Sequence, residues 1–250
     1  MRIPKFSDRN LPNSSPRREI YYGWYIVAAA FFITFLTISM RTGFGVFVKP
    51  MSDELDWSRA IISLAAAIGW LVNGVSQPFA GWIYDRVGGR KVVLTSLLVV
   101  GLCTILLSQT NNIGYMIVFY GFVLSIALSG VSSVTLSALL SAWFSRKRGT
   151  ALGLIGVGAP VGQLLLIPFT MYLLLLTDWR MAWVLLGGMV LVLAVPLAFI
   201  VLRDRPQSMG LLPDGDAMLP NGNRPARDSY GRGPLEVEYW MEAFQSSPIW

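Results

Sequence analysis

The sequence predicts an all-α membrane protein that crosses the bilayer six times. Hydrophobic residues make up 54% of the 250-residue chain and charged residues only 14%, whereas about 25% of a soluble domain is charged. The charges crowd into short segments that long apolar runs separate. Each run can cross about 30 Å of hydrocarbon. Because lipid offers the backbone no hydrogen-bond partner, each run is expected to be a helix.

The six predicted spans follow a polar, basic tail at residues 1–21, interpreted as a disordered cytoplasmic segment. The first apolar run is about 26 residues long, which exceeds the ~7–15 residues of a signal-peptide core, so it is interpreted as a retained span. Together the spans define a transmembrane unit at residues 22–202. In chain order they are Tyr22–Val48, Ala60–Trp82, Val92–Ser108, Ile113–Ala142, Gly149–Thr177 and Met181–Leu202.

The basic residues predict the orientation of the chain. Sixteen lysines and arginines flank the spans on the side of the N terminus, three lie on the opposite side, and Arg41 lies inside a span. Loops rich in Lys and Arg stay in the cytoplasm. Both termini are therefore expected to be cytoplasmic, in a plasma or inner membrane. Residues 203–250, rich in proline and glycine, are expected to form a cytoplasmic loop leading to a seventh helix that these residues do not include.

A glycine-rich basic motif joins the second and third spans. The segment "GWIYDRVGGRKVV" sets glycines and an Asp-Arg pair before a basic cluster. The glycines permit close helix approach and a tight turn, and Asp85 can pair with a nearby arginine or with a helix N terminus. The alternative is a plain basic loop that satisfies the positive-inside rule.

A second motif opens the fifth span, in "AWFSRKRGTALGLIGVGAPVGQ". Gly158 and Gly162 form a small-xxx-small pair that allows another helix to pack closely, and Pro160 removes one backbone hydrogen bond. The residues assigned to this helix-five motif are Phe144, Arg146, Arg148, Gly153, Gly158, Pro160 and Gly162.

Together these motifs resemble those of major facilitator transporters. The second resembles the fifth-helix motif of the monocarboxylate-porter and oxalate/formate-antiporter branch, and "YYGWYIV", "WSRA" and "GLLPDG" fit its bacterial members. The resemblance covers the whole chain. It implies the N-terminal six-helix half of a twelve-helix fold, built from two three-helix repeats. It also implies a conformational-switch motif composed of Gly81, Asp85, Arg86, Gly88, Arg90 and Lys91.

The resemblance further implies transport of a small organic anion, a mono- or dicarboxylate, by alternating access at a site between two halves. The chain departs from the family pattern at Gly89, where a basic residue is usual. Its fourth span also lacks the Arg-Gln-Gly pattern of many proton-coupled relatives, so symport, antiport and uniport stay open. The expected partners are the lipid bilayer, the anion, and either the C-terminal half or a second copy; nucleic acid is not expected.

Polar residues deep in the spans are candidates for substrate contact. For the amides of Asn73 and Gln163, the favoured alternative is an interhelical hydrogen bond. In the fourth span a four-residue ladder drifts by about 40° per step, which favours a packing ridge over a straight polar stripe. The alternative is a substrate-lining face at Ser129, Ser132 and Ser133. The ladder consists of Gly121, Ser125, Ser129, Ser133, Ser137 and Ser141.

Arg41 lies about two-thirds of the way along the first predicted span. A charge near the bilayer centre costs at least about 2.5–3.5 kcal/mol and normally faces a cavity or a partner. No acidic residue lies deep in any span, and a guanidinium can hold a carboxylate in bidentate fashion. The resemblance likewise implies a basic residue here, while the alternative is snorkelling to the interface. The predicted substrate-binding residues are Arg41, Asn73, Tyr120 and Gln163.

The composition disfavours other classes of function. The chain has no histidine, which excludes a histidine proton relay and the usual zinc sites. Cys103 is the only cysteine, so no disulfide can form within the chain. No metal, cofactor or enzymatic activity is expected. Two alternatives stay open: a truncated or non-transporting membrane protein, such as a sensor, and a six-helix carrier that works as a homodimer.

Overall fold

The computed structural model describes residues 21–213, which form a bundle of six membrane-length helices. A shorter helix, α2 (Gly45–Leu55), follows the first span, and a single 3₁₀ turn, Pro206–Met209, follows the last. No strand occurs among the described residues, so the predicted all-α membrane fold is confirmed. The predicted tail before residue 21 and the predicted loop after residue 213 lie outside the described residues. The spans are α1 (Gly23–Thr42), α3 (Arg59–Val87), α4 (Gly89–Gln109), α5 (Ile113–Ser141), α6 (Arg148–Leu176) and α7 (Trp179–Val201).

The pairing of the helices fits two three-helix repeats. Helix α1 packs along α6, α3 along α5, and α4 along α7. If each of the first three spans is exchanged with its counterpart in the second three, so that α1 replaces α5, α3 replaces α6 and α4 replaces α7, the same three pairs result. In α1 and α5, 53% and 50% of the span is buried, whereas in α3 and α6 only 22% is buried. Helices α3 and α6 therefore present the most exposed faces of the bundle.

Glycines set the closest approaches in these pairs. A Cβ added at Gly158 of α6 would lie 2.8 Å from Phe31 O on α1, and one at Gly187 of α7 would lie 2.7 Å from Gly101 O on α4. A Cβ at Gly69 of α3 would lie 2.7 Å from a hydroxyl of α5. Each pair therefore depends on a residue without a side chain at its tightest contact.

Several helix ends differ from those predicted. Helix α1 ends at Thr42 rather than Val48, at a turn that contains Gly43, because glycine is a poor helix former. Helix α3 continues beyond Trp82 to Val87 and α4 begins at Gly89. The reason is that hydropathy marks the part of a helix in lipid, whereas a helix can continue into water. The predicted loop between these two spans is consequently only one residue, Gly88.

Helix α5 is not the continuous span that was predicted. Its middle widens into a π-helical segment, Ile117–Leu124, and its regular turns are interrupted at Val131 and Ser132. The hydroxyl of Ser132 accepts a hydrogen bond from the backbone N–H three residues later, at 3.4 Å, and so caps the second part. Within the serine ladder, Ser129 is buried and Ser133, beyond the interruption, is exposed.

Candidate functional site

Arg41 lies in the last turn of α1, nearer the end of its helix than predicted because α1 stops at Thr42. Its guanidinium carbon is 3.7 Å from the centroid of the Trp70 ring on α3. Nη2 lies 3.5 Å from Gly69 O, which is long for a hydrogen bond. Since α3 begins at Arg59 and rises 1.5 Å per residue, Trp70 lies roughly 16 Å along that helix. Arg41 is therefore level with the middle part of α3 and not with its end.

The guanidinium retains unused hydrogen-bond donors. No carboxylate of residues 21–213 lies within hydrogen-bond or ion-pair distance of it. An arginine carries five N–H donors, and stacking on an aromatic face uses none of them. A cation–π contact contributes about 0.5–2 kcal/mol, which is less than the cost of about 2.5–3.5 kcal/mol for a charge at this depth. An anion at this position would therefore be stabilised.

Arg180 provides the contrast within the same structure. Its guanidinium pairs with Glu54 at 3.2 Å and donates to Ser108 O, Thr110 O and the side chain of Asn111. These contacts join α2, α4 and α7 and use most of its donors. Arg180 is therefore a structural cation, whereas Arg41 is not saturated by the described residues.

A small cavity lies beside Arg41 inside the bundle. Tyr120 of α5 and Trp183 of α7 line it together with Arg41, and apolar side chains form most of the rest. The buried Tyr120 ring lies 4.2 Å from the Phe44 ring, and Trp183 Nε1 is buried without a hydrogen-bond partner. The structure thus brings together two of the four predicted substrate-binding residues, Arg41 and Tyr120.

The other two predicted substrate-binding residues lie elsewhere. Asn73 is buried, and its Nδ2 donates to Ser125 O on α5 at 2.9 Å. This bond corresponds to the interhelical alternative. Gln163 of α6 is half-exposed, does not line the cavity, and makes no hydrogen bond to the described residues. Neither amide is hydrogen-bonded to Arg41.

Trp70 belongs to the site but was not among the substrate-binding residues predicted from the sequence. Trp70 is 57% exposed, and its ring stacks against the Arg41 guanidinium. Its position in the sequence was the available signal. Tryptophan in a membrane helix is usually found at the interfaces, whereas Trp70 is far from either end of α3, which suggests another role. Linking it to Arg41 required the relative rotation of α1 and α3, which periodicity does not supply.

The conformational-switch motif lies mostly within helices α3 and α4. Gly81 faces open space, and the exposed Arg86 stacks on Trp82 at 3.8 Å. The prediction that Asp85 pairs with an arginine or a helix N terminus is wrong for residues 21–213, because Asp85 is exposed and contacts no such group. Asp204 supplies the carboxylate at the start of α4 instead. The remaining motif residues, Gly88, Arg90 and Lys91, lie at or within the first turn of α4.

The helix-five motif combines buried and exposed residues. Phe144 is buried against Tyr21 and Trp24, with ring centroids 5.7 and 5.2 Å apart. The predicted close packing at Gly158 is confirmed by its contact with α1, and Gly162 is buried as well. The motif residues exposed on the described surface are Arg146, Arg148, Gly153 and Pro160.

Known proteins share this sequence pattern. The family profile for the Major Facilitator Superfamily matches residues 30–250. The Uncharacterized MFS-type transporter YcxA of Bacillus subtilis (strain 168) is 25% identical over 78% of this chain and 47% of its own length. Monocarboxylate transporter 13 of Rattus norvegicus is 28% identical over 67% and 39%. The Membrane sensor protein UhpC of Escherichia coli (strain K12) is 30% identical over 78% and 43%. The chain therefore spans less than half the length of these relatives.

A solved structure has the same fold. The bacterial homolog to the human lysosomal transporter Spinster, in an inward-facing and unoccupied conformation, superposes with a TM-score of 0.67 at 18% identity. The match covers 91% of this chain and 49% of that one. The profile match, these relatives and the six paired helices lead to one conclusion. The chain belongs to the Major Facilitator Superfamily of membrane transporters and corresponds to the N-terminal half of its longer relatives.

Proposed function

We propose that the chain supplies the N-terminal half of a carrier that moves a small organic anion, a mono- or dicarboxylate, by alternating access. Arg41 holds the carboxylate of the substrate. The carrier lies in a plasma or inner membrane with both termini in the cytoplasm, as the distribution of basic residues favours. The observation that carries the proposal is the Arg41 guanidinium, which is half-buried, stacked on Trp70 and unpaired with any described carboxylate.

The geometry suits carboxylate binding for two reasons. The Trp70 ring covers one face of the guanidinium, which leaves the N–H groups at its edge available for a bidentate contact. The neighbouring cavity wall is mainly apolar, and low local polarity strengthens an interaction between opposite charges. That several relatives are named monocarboxylate transporters supports the same substrate class.

Alternating access requires the half to move as a unit around the site. The close glycine contacts between α1 and α6 and between α4 and α7 fit such a body, because tightly packed helices do not slide independently. The wall opposite Arg41 then comes from the C-terminal half of the carrier or from a second copy of this chain. Besides Arg41, Tyr120 is proposed to contact the substrate, because it lines the same cavity. Gln163 lies outside that cavity and could contact the substrate only after the helices rearrange.

Two variants at Arg41 test the proposal. Arg41→Gln removes the charge and is expected to lower carboxylate affinity about tenfold to a hundredfold, the range for a hydrogen bond to a charged group. Arg41→Lys keeps the charge but loses the planar fork, so a partial loss is expected. Arg59→Gln is the control, because Arg59 is an exposed cation at the start of α3. Binding is measured on the native-length protein, meaning this chain together with whatever completes the carrier. The membrane abundance of every variant is determined in parallel. Normal affinity in Arg41→Gln would refute the anion site.

A sensor is a second candidate, because UhpC, at 30% identity, is named a membrane sensor protein. Saturable carboxylate uptake by the native-length protein in proteoliposomes supports a carrier, and binding without uptake supports a sensor. The 250-residue chain alone is expected to show no saturable uptake, since half of the cavity wall is supplied from elsewhere. Robust uptake by that chain would favour the homodimer.

A further inference from the structure

Helix α4 begins after a residue that cannot cap it. Gly88 has a φ of 94°, a region that residues with a side chain rarely adopt. The preceding position of a helix usually carries Ser, Thr, Asp or Asn, whose side-chain oxygen accepts from a free N–H of the first turn. At Gly88 there is no such oxygen. The first N–H groups of α4 therefore need water or an acceptor from another part of the chain.

Asp204, in the segment that follows α7, supplies this acceptor. Its Oδ1 accepts a hydrogen bond from the backbone N–H of Arg90 at 2.7 Å. Its two carboxylate oxygens lie 3.2 and 3.3 Å from the position that a Cβ of Gly88 would occupy. A negative charge is also favourable at a helix N terminus. Asp204 thus does from a distance of 114 residues what a local capping residue would do.

Arg90 makes the reciprocal contact. Its Nη2 donates to Phe199 O at 2.7 Å, and that oxygen is one of the last carbonyls of α7. Such carbonyls have no partner within their own helix, and a cation is favourable at a helix C terminus. The start of α4 and the end of α7 therefore cap each other through two short, charge-assisted hydrogen bonds.

Other helices hold the same exit segment. The Tyr22 hydroxyl of the α1 entry donates to Val201 O at 3.0 Å. Trp143 Nε1, directly after α5, donates to Arg203 O at 3.0 Å. The chain that leaves α7 is thus held at Val201 and at Arg203, immediately before Asp204.

We infer that Asp204 is a positioning residue of the conformational-switch motif. It fixes the α3–α4 turn to the end of α7, so that the turn and this helix end move as one unit. Asp85, the carboxylate within the motif itself, is left exposed and takes no part in this contact. Only the consequence for the transport cycle rests on the proposed function, because the contact itself requires no substrate.

Hydrogen exchange on the 250-residue chain in lipid nanodiscs tests the inference without any transported substrate. In Asp204→Ala, exchange at the first-turn amides of α4 should accelerate about fivefold to tenfold, the size expected for loss of a capping side chain. Asp204→Asn retains an acceptor and loses the charge, so a smaller local acceleration is expected. Asp85→Asn is the matched control, and exchange at the start of α4 should be unchanged.

Unchanged exchange in Asp204→Ala, or an equal acceleration in Asp85→Asn, would overturn the inference. So would a uniform acceleration along α3 and α6, because it would show a general loss of stability. If Asp204→Ala does not fold, Asp204→Asn carries the test by the same criteria. In the native-length carrier, Asp204→Asn should lower the maximal uptake rate at unchanged substrate affinity. Failure of carboxylate uptake by the wild type would refute the proposed function and leave the exchange result standing.

Discussion

Replacing Gly187 with alanine should destabilise the contact between α4 and α7. The added Cβ would lie 2.7 Å from Gly101 O and 2.9 Å from the backbone nitrogen of Ile105. Backbone atoms within two packed helices cannot rotate away, so the helices must separate. Overpacking of this kind costs about 1–3 kcal/mol. Gly188 is a matched control, because it is the next residue of the same helix and a Cβ there meets nothing within 4 Å.

The comparison isolates the contact, because the gain in helix propensity of about 1 kcal/mol is common to both variants. For a domain of this size, each kcal/mol shifts Tm by about 2–4 °C. Gly187→Ala should therefore unfold about 2–12 °C below Gly188→Ala. Far-UV circular dichroism in one detergent, at one scan rate, measures this difference. Gly101→Ala should fall between them, because its Cβ meets the Leu191 side chain, which can change rotamer. Equal midpoints for Gly187→Ala and Gly188→Ala would refute the close approach.

Three further predictions concern the site, the motif and the orientation. Trp70→Ala should weaken carboxylate binding by about 0.5–2 kcal/mol through loss of the cation–π contact, and Trp70→Phe should weaken it less; unchanged affinity in Trp70→Ala would contradict the stacking role. Asp85→Asn should slow transport more than it weakens substrate binding and should leave Tm unchanged, because the exposed Asp85 side chain makes no hydrogen bond or ion pair with the described residues; a loss of affinity at an unchanged rate would oppose this. In a Cys103→Ala background, an impermeant maleimide on intact cells should label Asp53→Cys and spare Ser145→Cys, and the reverse labelling would place the termini outside.

The six spans were predictable because lipid enforces a simple rule, namely that a helix crossing the hydrocarbon needs a run of about 20 predominantly apolar residues. The ends of the helices were less predictable because they depend on local and distant caps. The start of α4 rests on Asp204, which is far away in the sequence. The second part of α5 is capped by the Ser132 hydroxyl, one serine among several in the same span.

The candidate site was predictable only in part, for a comparable reason. The depth of Arg41 and the lack of acidic residues in the spans are visible in the sequence. The contact with Trp70 depends on how α1 is rotated against α3. The hydrogen bond from Asn73 Nδ2 to Ser125 O, at 2.9 Å, likewise depends on how α3 is placed against α5. Sequence spacing predicts which face of a helix a residue shares, but not which neighbour that face meets.

The most direct test of anion binding at Arg41 compares two ligands of the same size that differ at the carboxyl group. The affinities of the native-length protein for a monocarboxylate and for its primary amide are measured in the wild type and in Arg41→Gln. The wild type is expected to prefer the carboxylate by about tenfold to a hundredfold, and this preference should largely disappear in Arg41→Gln. A preference of the same size in both proteins would show that Arg41 does not hold the carboxylate.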